Sequence, residues 1–332
     1  MKVLIVVRWP VGGIRTYLNY VYREMIQRGY KCTFVIVDES ETEILREDLS
    51  RYGANWYVLP SGRSIIVYAK RILNILRKEN YDLIHAHGFT SGGLAFFPAK
   101  ITRTPIIMTS HDVLLSNQFS GFKGSLKKKL LATMFNNMTL VQSVSFDAKK
   151  NLHEMLPLFI EKRSKVIMNG VDEERFLSAK PFDFHQVHNI PQDTMLVAFF
   201  GRFMGQKGFR YIVDAIEQLK DNQNFNKSFV VITVGDGGFF REEVIDIKNK
   251  GLQEYFCHLP YVPNIAEMAK SVDAVLIPSL WEACPLLPME IMIAGTPIIT
   301  TNCIGLREVT ENTPAIKVPE RDGFALAEAI KG

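Results

Sequence analysis

At 332 residues the chain is long enough for two domains. Its 47% apolar and 22% charged residues are those of a folded globular protein, which excludes disordered, collagenous and disulfide-scaffold classes. The net charge of +4 is uneven: residues 1–180 hold 26 Lys+Arg against 16 Asp+Glu, and residues 181–332 hold 13 against 19. The first half is therefore expected to meet something anionic, such as a membrane surface, a phosphorylated substrate or nucleic acid.

No apolar run approaches the roughly 18 residues that cross a bilayer as a helix. The opening Met1–Arg8 stretch is too short for a signal peptide and ends on a charge. Cys32, Cys257, Cys284 and Cys303 lack CxxC spacing, so neither a zinc site nor a disulfide framework is expected, and a reducing cytoplasm is the expected setting.

In chain order, the first half gives strands at Lys2–Val7, Cys32–Val37, Asn55–Leu59, Leu83–His87, Ile106–Thr109 and Thr139–Val141. Val3–Val7 is apolar at every position, as in a parallel strand covered on both faces. Helical patterns fill the gaps, for example Ile14–Arg28, which ends at Gly29 as a C-terminal cap requires. Pro10-Val11-Gly12-Gly13-Ile14 joins the first strand to that helix and could bring backbone N–H groups to a phosphate. It is not GxGxxG, and only Asp38 ends the second strand near the usual ribose-binding distance. His85 and His87 flank Ala86 at a strand end and are expected to point to opposite faces, one of them buried.

The pattern restarts with strands at Met195–Phe200, Phe229–Val234, Phe256–Leu259, Ala274–Ile277 and Pro297–Thr300, while 181–193 is polar and irregular. Domains of 1–163 and 164–332 follow. The fold class is α/β, with two Rossmann-like doubly wound domains facing across a cleft and ligands expected at the carboxyl ends of the strands.

Three loops of the second domain carry candidate chemistry. Gly201-Arg202-Phe203-Met204-Gly205-Gln206-Lys207-Gly208 offers two cations that could hold a diphosphate. Gly235-Asp236-Gly237-Gly238 is a second glycine-rich strand end. In Pro278–Glu290, Glu282 lies in a loop, Pro285 and Pro288 fit a first helical turn, and Glu290 is expected about two turns into the helix. Two carboxylates so placed can accept hydrogen bonds from separate hydroxyls of a polyhydroxylated ligand, with a helix N-terminus between them suited to phosphate oxygens.

Taken in order, the Gly12-Gly13 loop, Ser110-His111-Asp112, Ser143-Val144-Ser145, Asn169-Gly170-Val171-Asp172, the Gly201–Gly208 loop, Gly235-Asp236-Gly237 and the Glu282/Glu290 pair resemble the retaining family-4 glycosyltransferases of GT-B fold. The resemblance implies transfer of a sugar from a nucleotide diphosphate, UDP favoured over GDP, to a hydroxyl of a glycan or lipid-linked acceptor in cell-surface polysaccharide or lipopolysaccharide synthesis. Configuration at the anomeric carbon is retained and no metal or cofactor is required, there being no DxD triplet. It implies that Arg202 and Lys207 neutralise the diphosphate and that Glu290 binds the ribose. Glu282 would contact the transferred sugar, His111 would approach that sugar from the first domain, and Gly13, Gly235, Pro285 and Leu286 would border the donor. Ala283, Pro288 and Gly305-Leu306 depart from the family pattern and bear on which sugar is carried. Similar enzymes also continue with further helices beyond the helical stretch Phe324–Ile330.

Residues 122–135 combine Leu126, Leu130, Leu131 and Met134 on one helical face with Lys127, Lys128 and Lys129, a pattern suited to peripheral contact with the inner face of a membrane. The apolar stripe of Ile65–Lys78 is expected to pack on its own sheet instead. The cations form no stripe with exposed aromatics, so no nucleic-acid partner is expected. The alternatives are a nucleotide-sugar 2-epimerase, which needs no acceptor, and a non-catalytic nucleotide-sugar-binding protein.

Overall fold

The computed structural model describes all residues except Ser40, 223–226 and Pro263. It divides into two compact units, Met1–Asn169 and Gly170–Gly332.

The first unit is built on strands β1 (Lys2–Val7), β2 (Lys31–Val37), β3 (Asn55–Leu59), β4 (Leu83–His87), β5 (Ile106–Ser110), β6 (Leu140–Ser143) and β7 (Ser164–Val166). They lie in the order β3-β2-β1-β4-β5-β6-β7, and every pairing is parallel. Val3–Val7 is at most 2% exposed, because β1 is central and covered on both faces. The domain division falls at 169/170 instead of 163/164. Ser164–Val166 pairs with β6 and so completes the first sheet.

The second unit holds β8 (Met195–Phe200), β9 (Phe229–Val234), β10 (Phe256–Leu259), β11 (Ala274–Ile277), β12 (Ile298–Thr301) and β13 (Ile316–Val318). Their order is β10-β9-β8-β11-β12-β13, again all parallel. The stretch 181–193 is less irregular than its composition suggests. It contains the short helix Phe184–His188, capped by Asp183 Oδ1 accepting from the Gln186 amide at 2.9 Å. That turn seats the fully buried Phe184 in the same core cluster as Leu196, Ala198 and Ile298.

Each sheet reverses strand order once, between β1 and β4 and between β8 and β11. Connections there leave in opposite directions, so their loops diverge and open a crevice at the strands' carboxyl ends. At the second reversal the loops are packed backbone to backbone. Gly201 and Phe203 amides donate to Val234 and Asp236 carbonyls at 3.1 and 3.0 Å, and Leu280 N–H donates to Gln206 O at 2.8 Å. Gly208 makes this packing possible: its φ is +67°, and a Cβ there would run into the Pro278 carbonyl.

Replacing Gly208 by Ala is accordingly expected to cost about 2 kcal/mol and to lower the midpoint of thermal unfolding by several degrees. Gly13→Ala, whose added Cβ meets nothing within 4 Å, leaves it nearly unchanged. Circular-dichroism melts of both variants check this, and equal midpoints would contradict it.

Candidate functional site

At the reversal of the second sheet, β8 gives way to Gly201–Met204, a single 3₁₀ turn at Gly205–Lys207 and Gly208, which starts the helix Phe209–Asp221. β11 gives way to the loop carrying Ser279 and Glu282. Glu282 is buried at 7% exposure, and its carboxylate is satisfied from several sides. Its Oε1 accepts from Lys207 Nζ at 2.6 Å and from Ser279 Oγ at 2.8 Å, while Gln206 Nε2 stands 3.5 Å from Oε2. Gln206 Nε2 spends its better hydrogen bond on the Trp281 carbonyl at 2.8 Å. The Glu282 backbone is fixed by its amide donating to Ile304 O at 3.0 Å. Gly305 (φ +82°) lies directly on the Glu282 carbonyl, where a Cβ would clash.

Glu290 is also buried, at 8%, but sits differently from expectation. The helix runs Leu287–Ala294 with Pro288 in its first turn. Glu290 is thus in that first turn, not two turns in, and Pro285 precedes the helix. An acid in a first turn faces the positive helix end. Leu286 is buried and Pro285 half-buried. Arg202 stands apart from this cluster: it is exposed and makes no ion pair with any described residue. Gly235 follows β9 with φ +150°, against the Gly201 carbonyl. The structure thus brings Lys207 and Glu282 into contact, joined by Gln206 and Ser279, neither of which the sequence singled out as a site residue.

At the reversal of the first sheet, Gly13 begins the helix Gly13–Gln27. The amide before it is not free: Gly12 N–H donates to Glu41 Oε2 at 3.0 Å, and Arg15 Nε lies 3.2 Å from the same oxygen. Arg8 Nη1 meets Glu39 Oε1 at 2.7 Å. The acids following β2 therefore reach back to the glycine loop and supply its anion internally, which tempers the expectation of a ready phosphate cradle there.

Beside this loop lies a buried polar cluster. His85 and His87 share one face of β4, correcting the opposite-face expectation, because alternate residues of a strand point the same way. Their ring centroids are 4.2 Å apart, and the Tyr22 hydroxyl touches both, at 2.8 Å to His85 Nδ1 and 2.6 Å to His87 Nε2. His87 Nδ1 reaches His111 Nε2 at 2.9 Å, just past the end of β5, and His85 Nε2 reaches Thr109 Oγ1 at 2.7 Å. Tyr17 packs edge-on against His111 with centroids 4.8 Å apart. Tyr17 and Tyr22 escaped the sequence reading because five residues along a helix is neither the i, i+3 nor the i, i+4 spacing that marks one face.

Burial lowers the His85 pKa to about 4. It lowers that of His111 to about 3, with neighbouring His85 adding to the effect. His87 is pushed well below the ordinary value by burial, then by His85 and His111. All three rings are neutral in the folded unit. The unfolded chain, with imidazoles near about 6.5, binds protons that the folded unit refuses, so stability is full above about pH 6.5 and falls as pH drops towards the folded values. Replacing His85 by Gln should flatten that fall by as much as one proton, about 1.4 kcal/mol per pH unit. Urea unfolding at about pH 7, 6 and 5 measures the slope, and equal slopes in the two proteins would refute the assignment.

Among the described residues, no helix is long and apolar enough to cross a membrane. The "Glycosyltransferase Family 4" model matches residues 11–175, and the "Glycosyl transferases group 1" model matches residues 182–331. An uncharacterized glycosyltransferase of Methanocaldococcus jannaschii is 25% identical over 91% of this chain and 80% of its own length. An Escherichia coli UDP-Gal:alpha-D-GlcNAc-diphosphoundecaprenol alpha-1,3-galactosyltransferase is 24% identical over 77% of this chain and 65% of its own length. The crystal structure of Anabaena HepE in complex with UDP and glucose has the same fold, with a TM-score of 0.83 over 100% of this chain and 89% of that chain at 20% identity. With the two models accounting for one structural unit each, the chain belongs to the glycosyltransferases that join a Family 4 domain to a group 1 domain.

Proposed function

We propose that the chain is a retaining glycosyltransferase that takes its sugar from a UDP-sugar and needs no divalent ion. The observation that carries this reading is the Lys207–Glu282–Ser279 cluster at the strand-order reversal of the second sheet. Glu282 Oε1 is doubly occupied, whereas Oε2 has only a long contact with Gln206 and can accept a sugar hydroxyl. Lys207 presents three N–H donors and spends one on Glu282, leaving two for oxygens of a diphosphate. Arg202, exposed on the same loop, is free to swing onto the same anion in a forked contact. Glu290 is assigned to the ribose, and Gly235, Pro285 and Leu286 to the walls around the donor. UDP is favoured because the Anabaena structure holds UDP and the E. coli relative is named for UDP-Gal.

In this reading the bond from the anomeric carbon to the diphosphate oxygen breaks, and its electron pair stays on the diphosphate. The acceptor hydroxyl bonds to the same face of the sugar, and its proton passes to the departing phosphate. Lys207 and Arg202 offset the charge that grows on the leaving group, an interaction strongest in the transition state. Gly13 and His111 are the first unit's contributions, His111 meeting the transferred sugar.

We also propose a glycan or lipid-linked acceptor, polysaccharide or lipopolysaccharide synthesis as the setting, and peripheral contact with the inner, cytoplasmic face of a membrane. The helix Gly121–Asn136 supports the contact. Phe122 is 86%, Leu126 49% and Leu130 61% exposed, a stripe at i, i+4 and i+8, with Lys123, Lys127 and Lys129 exposed around it. Leu131 and Met134, grouped with that stripe from sequence, pack inward on the core instead. The E. coli relative's named acceptor is a diphosphoundecaprenol, a lipid.

Lys207→Ala and Arg202→Ala should each weaken UDP binding in titration calorimetry and lower kcat about a hundredfold, with thermal melts confirming that both proteins fold. Unchanged UDP affinity in both would sink the assignment. Vesicles of phosphatidylglycerol and phosphatidylcholine should sediment the wild-type chain but release most of a Phe122→Ser/Leu130→Ser variant. Each lysine adds about 1 kcal/mol at an anionic surface, so binding should also weaken as salt is raised. Equal sedimentation of the two proteins would contradict the contact.

A further inference from the structure

One chain of buried side-chain hydrogen bonds in the first unit links Gln142 to His111, and its Gln142 end decides which way the protons point. Gln142 Nε2 donates to the Ile167 carbonyl at 3.4 Å, which turns Oε1 towards Thr109, and the Thr109 hydroxyl donates to Oε1 at 3.2 Å. An amide oxygen can only accept, so the single Thr109 proton is committed. The 2.7 Å contact between Thr109 Oγ1 and His85 Nε2 therefore needs its proton on the ring, and His85 is the Nε2–H form.

A neutral imidazole carries one N–H. His85 Nδ1 is then bare and receives the Tyr22 hydroxyl proton at 2.8 Å. With that proton spent, the 2.6 Å contact of Tyr22 with His87 Nε2 needs an N–H on His87. His87 Nδ1 is bare in turn and accepts from His111 Nε2–H at 2.9 Å. Tyr17 also hydrogen-bonds to Thr109 and Gln142, and the direction follows where Gln142 Oε1 takes its proton from Thr109 at 3.2 Å. A histidine's tautomer is fixed by the partners of its other nitrogen.

We propose that Gln142, Thr109, His85, Tyr22 and His87 act together as a positioning relay that holds His111 in the Nε2–H tautomer and keeps its Nδ1 a bare acceptor. Nδ1 has no hydrogen bond to any described residue. It can then receive a hydroxyl, as of a sugar or a polyol acceptor, and it discriminates against groups that only accept, such as a phosphate oxygen or a carbonyl. Desolvation supports this by keeping the rings neutral, since an imidazolium would donate from both nitrogens. The link to the transferred sugar rests on the role proposed above for His111, whereas the relay itself does not.

The relay has one other self-consistent polarity. In it every ring is Nδ1–H, Tyr22 donates to His87, and His111 becomes a donor at Nδ1. The Thr109–Gln142 end decides between the two. Thr109→Val keeps the side-chain shape and removes the hydroxyl, so the anchor is lost and both polarities become populated. Thr109→Ser keeps the hydroxyl and the anchor.

The test is a set of long-range proton–nitrogen correlation spectra of the full chain labelled with ¹⁵N-histidine, recorded without ligand near pH 7. The His111 signals are assigned by comparison with His111→Gln. The wild type and Thr109→Ser should show His111 with Nε2 protonated and Nδ1 bare. Thr109→Val should move its two nitrogen shifts towards each other as the tautomers mix. Nδ1 protonation of His111 in the wild type, or Thr109→Val signals identical to those of the wild type, overturns the relay. Because no donor is present, a failure of UDP binding in the calorimetry leaves these spectra unaffected, and the two proposals fail separately.

Discussion

A carboxylate held out of water in a strand-end loop is the constraint around which the second unit is organised. Glu282 is 7% exposed, and an isolated charge at that depth would be costly. Lys207 and Ser279 answer one oxygen, and the backbone must come close enough for them to do so. That closeness needs glycine at two points, Gly208 against Pro278 and Gly305 against Glu282 itself. Buried ion pairs are weak evidence for stability, since desolvation offsets most of the attraction. Orientation is the better account of this one. The pair fixes a cation and an acceptor side by side at the place where the fold opens a crevice.

The first unit answers the same topological opportunity with the opposite chemistry. Its strand order also reverses beside the first strand, yet the groups gathered near that point are three histidines that burial keeps neutral. Charge is handled separately, by Glu39 and Glu41 on Arg8 and Arg15. A neutral imidazole chain can be directional, which a charged one cannot, because each member has one proton to give. The two units thus gather different chemistry at their reversals, a buried ion pair in one and a chain of neutral imidazoles in the other.

Much of this was legible in the sequence, and the failures have physical causes. Long apolar runs gave away β1, β8 and β9, because a strand buried on both faces has no polar alternation to confuse. β7 and β13 are three residues each, too short to carry a period, and missing β7 put the domain division six residues early. Lys207 and Glu282 were found from loop position and family pattern, but Ser279 and Gln206 were not, since a polar residue in a loop carries no signal until its partner is known. Glu290 was placed a turn too deep because Pro285 was read as part of the helix. The histidines were misread for a simpler reason: period two puts i and i+2 on one face, and applying it would have paired them.

The charge imbalance between the halves admits a more specific reading once side chains are placed. The arginines nearest the first unit's glycine loop are already paired with Glu39 and Glu41, so the surplus is not concentrated where a phosphate would enter. Part of it stands on Gly121–Asn136, where Lys123, Lys127 and Lys129 are exposed. Those lysines surround an apolar stripe that the core leaves uncovered. Like charges crowded on one helix repel and destabilise it unless an external anion compensates them. A surface that combines lysines without an ion pair among the described residues, Lys127 lying over the Phe119 ring, with exposed Phe122 and Leu130 is therefore better suited to an anionic, partly apolar interface than to water alone.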